Sequence, residues 1–387
     1  MTKTNSFSIL LLALGVFGII TTEMGIVGVL PQITEKFQIS TAQAGGLVSI
    51  FALVVAISGP FLTLLASGLN RKKVLLFTVL MFALSNLVYA YTEHFEMMLV
   101  FRILPALFHP VFFSIALVTA AQLVLPEKST RAVTQVFAGI TAGFAFGVPL
   151  TSYLAAKLSL EAAFGFAALV SLIALVGMLI GLPSLPVSQK ISYGAQLRIL
   201  RSARLWLNIL AVVFIFAAMF SVYSYFSEYL TQVTHMSHVW ISVMLMVFGV
   251  VMIAGNFGFG ELLQRNRLRT VLVFPVLLIL IFLLIHNWGY DWKMMIILIL
   301  VWGIIHSGGL VVSQTWLMME SGDAPELGNS LFVSFSNLGI TVGTAISGLF
   351  ITHLGMDHLF WCGILFALAA FILIIIRVLG IQQNRRR

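Results

Sequence analysis

The chain is short of charge and almost without cysteine. Only 9% of its 387 residues are Asp, Glu, Lys or Arg. A soluble surface needs roughly 25% charged residues, so a sizeable water-facing domain is excluded. The single cysteine, Cys362, sits in an apolar run, which rules out an intrachain disulfide and a cysteine-based metal site. No spacing of His, Cys, Asp and Glu suggests a metal centre. No glycine-rich loop is built to cradle phosphate, so neither ATP use nor any cofactor is expected. The net charge of +8 is not arranged as a basic stripe with interleaved aromatics, and nucleic-acid binding is not expected.

What is present is apolar surface. Hydrophobic residues make up 60% of the chain and the mean hydropathy is +1.08. Runs of roughly 18–25 apolar residues, long enough to cross ~30 Å of hydrocarbon as helices, recur from end to end. The opening MTKTNSF followed by an apolar stretch superficially resembles a signal peptide. It lacks a clear small-residue cleavage site, and the run is long enough to span, so it is read as a retained first helix. Breaks by charge, proline and glycine give twelve candidate spans, at about 8–30, 43–65, 74–92, 96–124, 132–156, 161–183, 205–229, 239–262, 270–287, 294–318, 329–353 and 357–380. Pro105, Pro110 and Pro149 interrupt the fourth and fifth.

Lys and Arg set the orientation. With the N-terminus inside, 17 of the 21 basic residues fall in inner segments and 3, Lys36, Lys157 and Lys293, in outer ones, leaving Arg102 within a span. The positive-inside rule then puts both termini in the cytoplasm. The inner loop 319–328 is the exception, carrying Glu320, Asp323 and Glu326 without a basic residue.

The longest connection divides the chain into an N-terminal six-helix half (1–183), a linker (184–204) and a C-terminal six-helix half (205–387). Pro183 and Pro186 stop the sixth span, and Arg198, Arg201 and Arg204 then recur at helical spacing, as in a short basic helix lying on the inner leaflet. The halves share pattern. GITAG at 139–143 matches GITVG at 339–343, and TLLASGLNRKKVLL from residue 63 aligns in charge with GELLQRNRLRTVLV from residue 260. Offsets near 200 and parallel helix directions point to two parallel pseudo-repeats. Secondary transporters use such repeats, with a binding site between them near the midplane.

Four stretches carry a family resemblance: TEMGIVGVLPQITEKF in the first span, LASGLNRKKVLL between the second and third, FRILPALFHPVFFSIA in the fourth and GITAGFAFGVPL in the fifth. In that order they resemble the motifs of the major facilitator superfamily, and within it the twelve-helix drug, sugar and nucleoside proton antiporters of bacteria. The resemblance implies an all-α membrane protein of twelve transmembrane helices in two six-helix pseudo-repeats. It also implies a multi-pass monomer of the cytoplasmic (inner) membrane that exchanges protons for a small-molecule substrate among the membrane lipids. Three positions depart from the pattern. Ser67 stands where the loop motif has an acid, ahead of Arg71, Lys72 and Lys73. Pro105-Ala106 replaces Gln-Gly, and Leu160-Glu161 replaces Trp-Arg.

Ionisable residues inside spans are the candidates for chemistry, because each costs at least about 2.5–3.5 kcal/mol to insert and normally faces a cavity or partner. Glu23 lies roughly 12 Å below an outer helix end at Pro31, and Arg102 roughly 9 Å below the same surface. The expectation is that Glu23 binds the coupling proton and Arg102 favours its carboxylate form; a static ion pair is the other reading. His109, two turns beyond Arg102, is positioned to relay protons or bond substrate. His306, Asn337, Tyr223 and Tyr225 are candidate substrate-cavity residues of the second half, with packing or an interfacial aromatic belt as the alternative. Gly139, Gly143, Gly147, Gly339 and Gly343 are read as close-packing positions for helix rocking, and Pro149 as a bend. The expected function is proton-coupled efflux of a drug, sugar or nucleoside; a proton-independent facilitator or importer, or a non-transporting membrane sensor, are the alternatives.

Overall fold

The computed structural model describes residues 3–66, 69–125, 128–184, 196–320 and 325–385. Among the described residues the regular structure is entirely helical. The helices are α1 (Lys3–Phe37), α2 (Thr41–Ala66), α3 (Arg71–Tyr91), α4 (Phe95–Gln122), α5 (Ser129–Ala142), α6 (Val148–Lys157), α7 (Leu160–Gly181), α8 (Ala203–Tyr223), α9 (Phe226–Gln232), α10 (His238–Trp288), α11 (Trp292–Met318), α12 (Pro325–Leu354) and α13 (Leu359–Arg385). A π-helical turn, Gly143–Gly147, joins α5 to α6, and 3-10 turns lie at Gln196–Arg201 and Met356–His358. Eleven of the described helical segments are long and apolar enough to cross a membrane. Of the linker, residues 185–195 fall outside the described set, and Gln196–Arg201 is a single 3-10 turn.

The helices begin where short polar side chains can take up their free amides. Asn70 accepts from Lys73 N, Ser159 from Ala162 N, Ser202 from Leu205 N, and Asp291 from Lys293 N and Met294 N. Each such cap is worth about 1 kcal/mol.

Three boundaries differ from the sequence expectation. The first helix does not stop near Pro31; it carries that proline inside and continues to Phe37. A proline removes one amide from the ladder without ending a membrane helix. The stop comes where Gln38 turns left-handed (φ 53) and Ile39 N bonds back to Thr34 O. Pro105 and Pro110 likewise lie within an unbroken α4. The eighth and ninth expected spans form one 51-residue run in which Asn266 alone is non-helical (φ −152, ψ 87). As a straight helix that run would measure about 76 Å, more than two hydrocarbon thicknesses. Asn266 breaks it and also caps its second part, the side chain accepting from Arg269 N.

The chain forms two compact units. One comprises Met1–Ile39, Ile57–Lys190 and Ser237–Gly249; the other comprises Ser40–Ala56, Ile191–Met236 and Val250–Arg387. Each takes in a segment from the far side of the linker.

In the first unit α1 is the central helix, packed by α4, α5, α6 and α7. Glycines let α5 and the π-turn approach it. A Cβ on Gly139 would lie 2.4 Å from Ala13 O, one on Gly143 2.5 Å from Ile20 Cγ2, and one on Gly147 2.1 Å from Thr21 Oγ1. Nearby, the hydroxyls of Ser152 on α6 and Ser242 on α10 are 2.9 Å apart.

In the second unit α8 is central, packed by α11, α12 and α13. A Cβ on Gly339 would lie 2.5 Å from Val213 O, and one on Gly343 2.4 Å from Ala217 O. Gly139 thus meets residue 13 and Gly339 meets residue 213, the same separation of 200 on both sides of each contact.

Candidate functional site

Glu23 and Arg102 are both buried in the first unit, at 5% and 0% exposure. Arg102 is one α-helical step of seven residues from His109 on α4, so both side chains leave that helix on the side of α1. The arginine donates through Nη1 to Thr22 O at 2.8 Å and through Nη2 to Glu23 O. Its guanidinium therefore anchors on main-chain carbonyls of α1. The Glu23 carboxylate meets the histidine: Oε2 is 3.1 Å from His109 Nε2. His109 is itself 5% exposed and leans on the Phe113 ring at 4.7 Å.

The surroundings are polar and tied down. Thr22 donates to Gly18 O at 2.9 Å and accepts from Asn86 Nδ2 at 2.8 Å. Tyr89 on α3 donates to Phe101 O at 2.9 Å and packs edge-on against Phe164 of α7. Burying a charged group demands such partners, or the cost runs to several kcal/mol. Here a permanent cation is held beside a carboxylate and an imidazole that can both titrate. That pair can hold no proton, one shared proton or two, while Arg102 keeps an acid's negative charge tolerable in the proton-free state.

Asn86 and Tyr89 were not among the residues singled out from the sequence. A lone amide in the apolar third span is the signal that marks Asn86. The matched-depth argument for Glu23 and Arg102 does not survive in its original form, because α1 runs fourteen residues past Glu23 to Phe37. Direct contact now places them together.

In the second unit Tyr223 and His306 come together, ring centroids 5.1 Å apart. Phe220 lies 5.7 Å and Trp302 5.9 Å from the same imidazole, both edge-on. Trp302, one turn before His306 on α11, is fully buried and escaped the sequence reading. Tyr225 is elsewhere. Its hydroxyl donates to Thr344 O at 3.0 Å and is seated against Gly45 and Gly348. Asn337 donates within its own helix to Val333 O at 2.9 Å.

Of the loop motif, Ser67 lies outside the described residues. Lys72 donates to Leu179 O at 2.8 Å and Leu182 O at 2.6 Å, the carbonyl end of α7. Arg71 bonds the Gln122 side chain, and Asn70 Nδ2 donates to Ser184 Oγ at 2.9 Å. The motif's basic residues thus close helix ends, where a cation meets the negative pole. The acidic inner loop that broke the charge pattern supplies Glu320, which pairs with the nearly buried Arg377 of α13. Pro149 lies in the first turn of α6, directly after the π-turn. Among the described residues no group of His, Cys, Asp and Glu could hold a metal ion.

The chain matches the Major Facilitator Superfamily over residues 12–320. It is 31% identical over 343 residues to the "Inner membrane transport protein YdhP" of Escherichia coli, covering 89% of this chain and 88% of that one. It is 28% identical to the "Probable sugar efflux transporter" of Helicobacter pylori, covering 89% and 88%. In fold it resembles the nucleoside transporter NupG, with a TM-score of 0.76 at 13% identity over 97% of this chain and 99% of that one. It likewise resembles the human organic anion transporter TETRAN, with a TM-score of 0.69 at 19% identity over 96% and 99%. A multi-pass helical membrane protein that matches this family over most of its length is a transporter and not an enzyme: the chain belongs to the major facilitator superfamily.

Proposed function

We propose that the protein exports a small organic molecule, a sugar, nucleoside or hydrophobic drug, in exchange for protons by alternating access. The observation that carries this reading is the buried Glu23–His109 contact at 3.1 Å, with Arg102 bound to the adjoining carbonyls. A carboxylate and an imidazole at that distance, sealed from water, bind protons in a way that depends on what surrounds them. Movement of α1 against α4 changes those surroundings, and so changes proton affinity between states.

In this reading Glu23 is the proton site. Arg102 positions α1 and supplies the compensating charge. His109 shares the proton. His306 and Tyr223 offer substrate an aromatic and polar face, with Tyr225 and Asn337 behind it. The scarcity of other buried charge disfavours highly charged substrates. The name of the Helicobacter pylori relative supports sugar efflux among the substrate classes.

The same proposal includes twelve crossings, Asn266 separating the eighth from the ninth, and two six-helix pseudo-repeats, supported by the paired glycine contacts 200 residues apart. It includes both termini in the cytoplasm, a home in the inner membrane and a monomeric working unit.

Purified protein in liposomes with an imposed pH gradient tests it. Candidate substrate should move against the gradient and release protons, and Glu23→Gln should abolish both. Full proton-driven transport by Glu23→Gln would overturn the coupling role, and substrate flux without proton flux would make the protein a facilitator.

A further inference from the structure

Glu228 is a second buried acid, in the second unit, with none of the company that Glu23 keeps. It is 4% exposed. Its Oε1 accepts from Gln232 Nε2 at 2.6 Å and from Thr41 Oγ1 at 3.4 Å. Among the described residues its buried Oε2 has no hydrogen-bond partner, and the carboxyl makes no ion pair. An uncompensated carboxylate in such a place costs several kcal/mol, whereas a neutral carboxylic acid forfeits one hydrogen bond. The packed arrangement therefore suits the protonated form.

The partner across the contact matters as much. Thr41 opens α2, whose first turns, Ser40–Ala56, belong to this unit. Three contacts hold that segment along one line. Thr41 reaches Glu228. Gly45 lies against the Tyr225 hydroxyl so closely that a Cβ there would be 2.0 Å from it. Ser49 O accepts from Thr341 Oγ1 at 3.3 Å. A negative charge on Glu228 would favour admitting water at one end of this line.

We propose that Glu228 is a second proton-binding site, and that its proton seals the start of α2 against α9 and α12. Loss of the proton releases the segment. This rests on the orientation with cytoplasmic termini, which puts Thr41 and Glu228 at the outer face. A proton arriving from outside would then close that face behind it.

Other ionisable groups on the elements packed here are Tyr225 and Tyr229 of the same segment, His235 in the turn after it, and His353 at the end of α12. Asp357 and His358 lie in the 3-10 turn against α9, Cys362 on α13, and His286 on α10. Residues 40–56 of α2 carry none. Tyrosine and cysteine ordinarily titrate above the range tested, and the remaining groups are unchanged by a substitution at Glu228, so that substitution isolates its share.

The test is cysteine labelling in liposomes, on a Cys362→Ser background, with a membrane-impermeant maleimide applied from outside. Ala44→Cys reports the sealed segment, since Ala44 is fully buried, and exposed Gln43→Cys corrects for thiol chemistry. The ratio of the two labelling rates should rise at least tenfold between pH 5.5 and 8.5, and Glu228→Gln should hold it at the low value throughout. A flat ratio, or the same rise in Glu228→Gln, would overturn the proposal. Should Glu228→Gln not fold, Gln232→Leu removes a donor to the carboxylate and should move the midpoint to higher pH; an unmoved midpoint overturns it equally. Glu23→Gln should leave the ratio's pH dependence intact, so failure of the coupling reading appears in transport and not in this ratio.

Discussion

The two buried histidines, His109 on α4 and His306 on α11, live in opposite chemistry. His109 stands 3.1 Å from a carboxylate, in a cluster where an arginine, a threonine, an asparagine and a tyrosine are all hydrogen-bonded. His306 stands among the rings of Tyr223, Phe220 and Trp302. One setting stabilises and moves charge; the other presents flat, weakly polar surface to whatever approaches. An imidazole in an apolar span is thus not a function by itself. Its neighbours on other helices decide, and the arginine seven residues away was the visible sign of the difference.

The sharpest break of this contrast is an exchange of roles. His109→Gln should abolish substrate-driven proton release in liposomes, while His306→Gln should keep the proton stoichiometry and raise KM. Loss of coupling in both variants would erase the distinction. Next in size is Arg102→Ala, which strips the partner from Glu23 and orphans two carbonyls. It should cost about 3–5 kcal/mol, seen as a lower thermal midpoint in detergent. Arg102→Lys should recover only part of that, because an ammonium lacks the fork that reaches both carbonyls.

Gly139→Ala and Gly339→Ala probe what the two units have in common instead. Each new methyl meets a main-chain oxygen, at 2.4 and 2.5 Å. Losses of about 1–3 kcal/mol are expected at both positions, and markedly unequal losses would argue against equivalent helix pairs. The smallest effect belongs to Lys72→Met, which removes the cation from the end of α7. About 0.3–1 kcal/mol should be lost, measured by the same thermal midpoint, with transport little changed.

Much of this was legible in the sequence because membrane helices announce themselves. Glu23 and Arg102 stood out as charges the hydrocarbon would reject, and His109 emerged from helical spacing. What the sequence could not reveal was which atom of each side chain finds which partner. Arg102 is long enough to reach either the Glu23 side chain or its backbone, and the main-chain carbonyls of α1 claim its two terminal nitrogens. The extent of α1 was missed for a related reason. Pro31 looks like a terminator one residue at a time, but the stop depends on the left-handed turn at Gln38, a non-glycine residue that gives no warning. Glu228 was noticed only as a neighbour of aromatics, since its burial depends on Thr41, 187 positions away.

The π-turn at Gly143–Gly147 has a consequence for how this gene can vary. It carries one more residue than an α-helical turn would, so everything after it is set in a phase of its own. Deleting a single residue there would swing α6 by about 100° about its axis. Ser152 would leave Ser242, and the residue at 147 would no longer point at Thr21. Substitutions within the turn can be absorbed one at a time, whereas a lost codon would misalign a whole face. For this stretch, the number of residues is inherited more strictly than their identity.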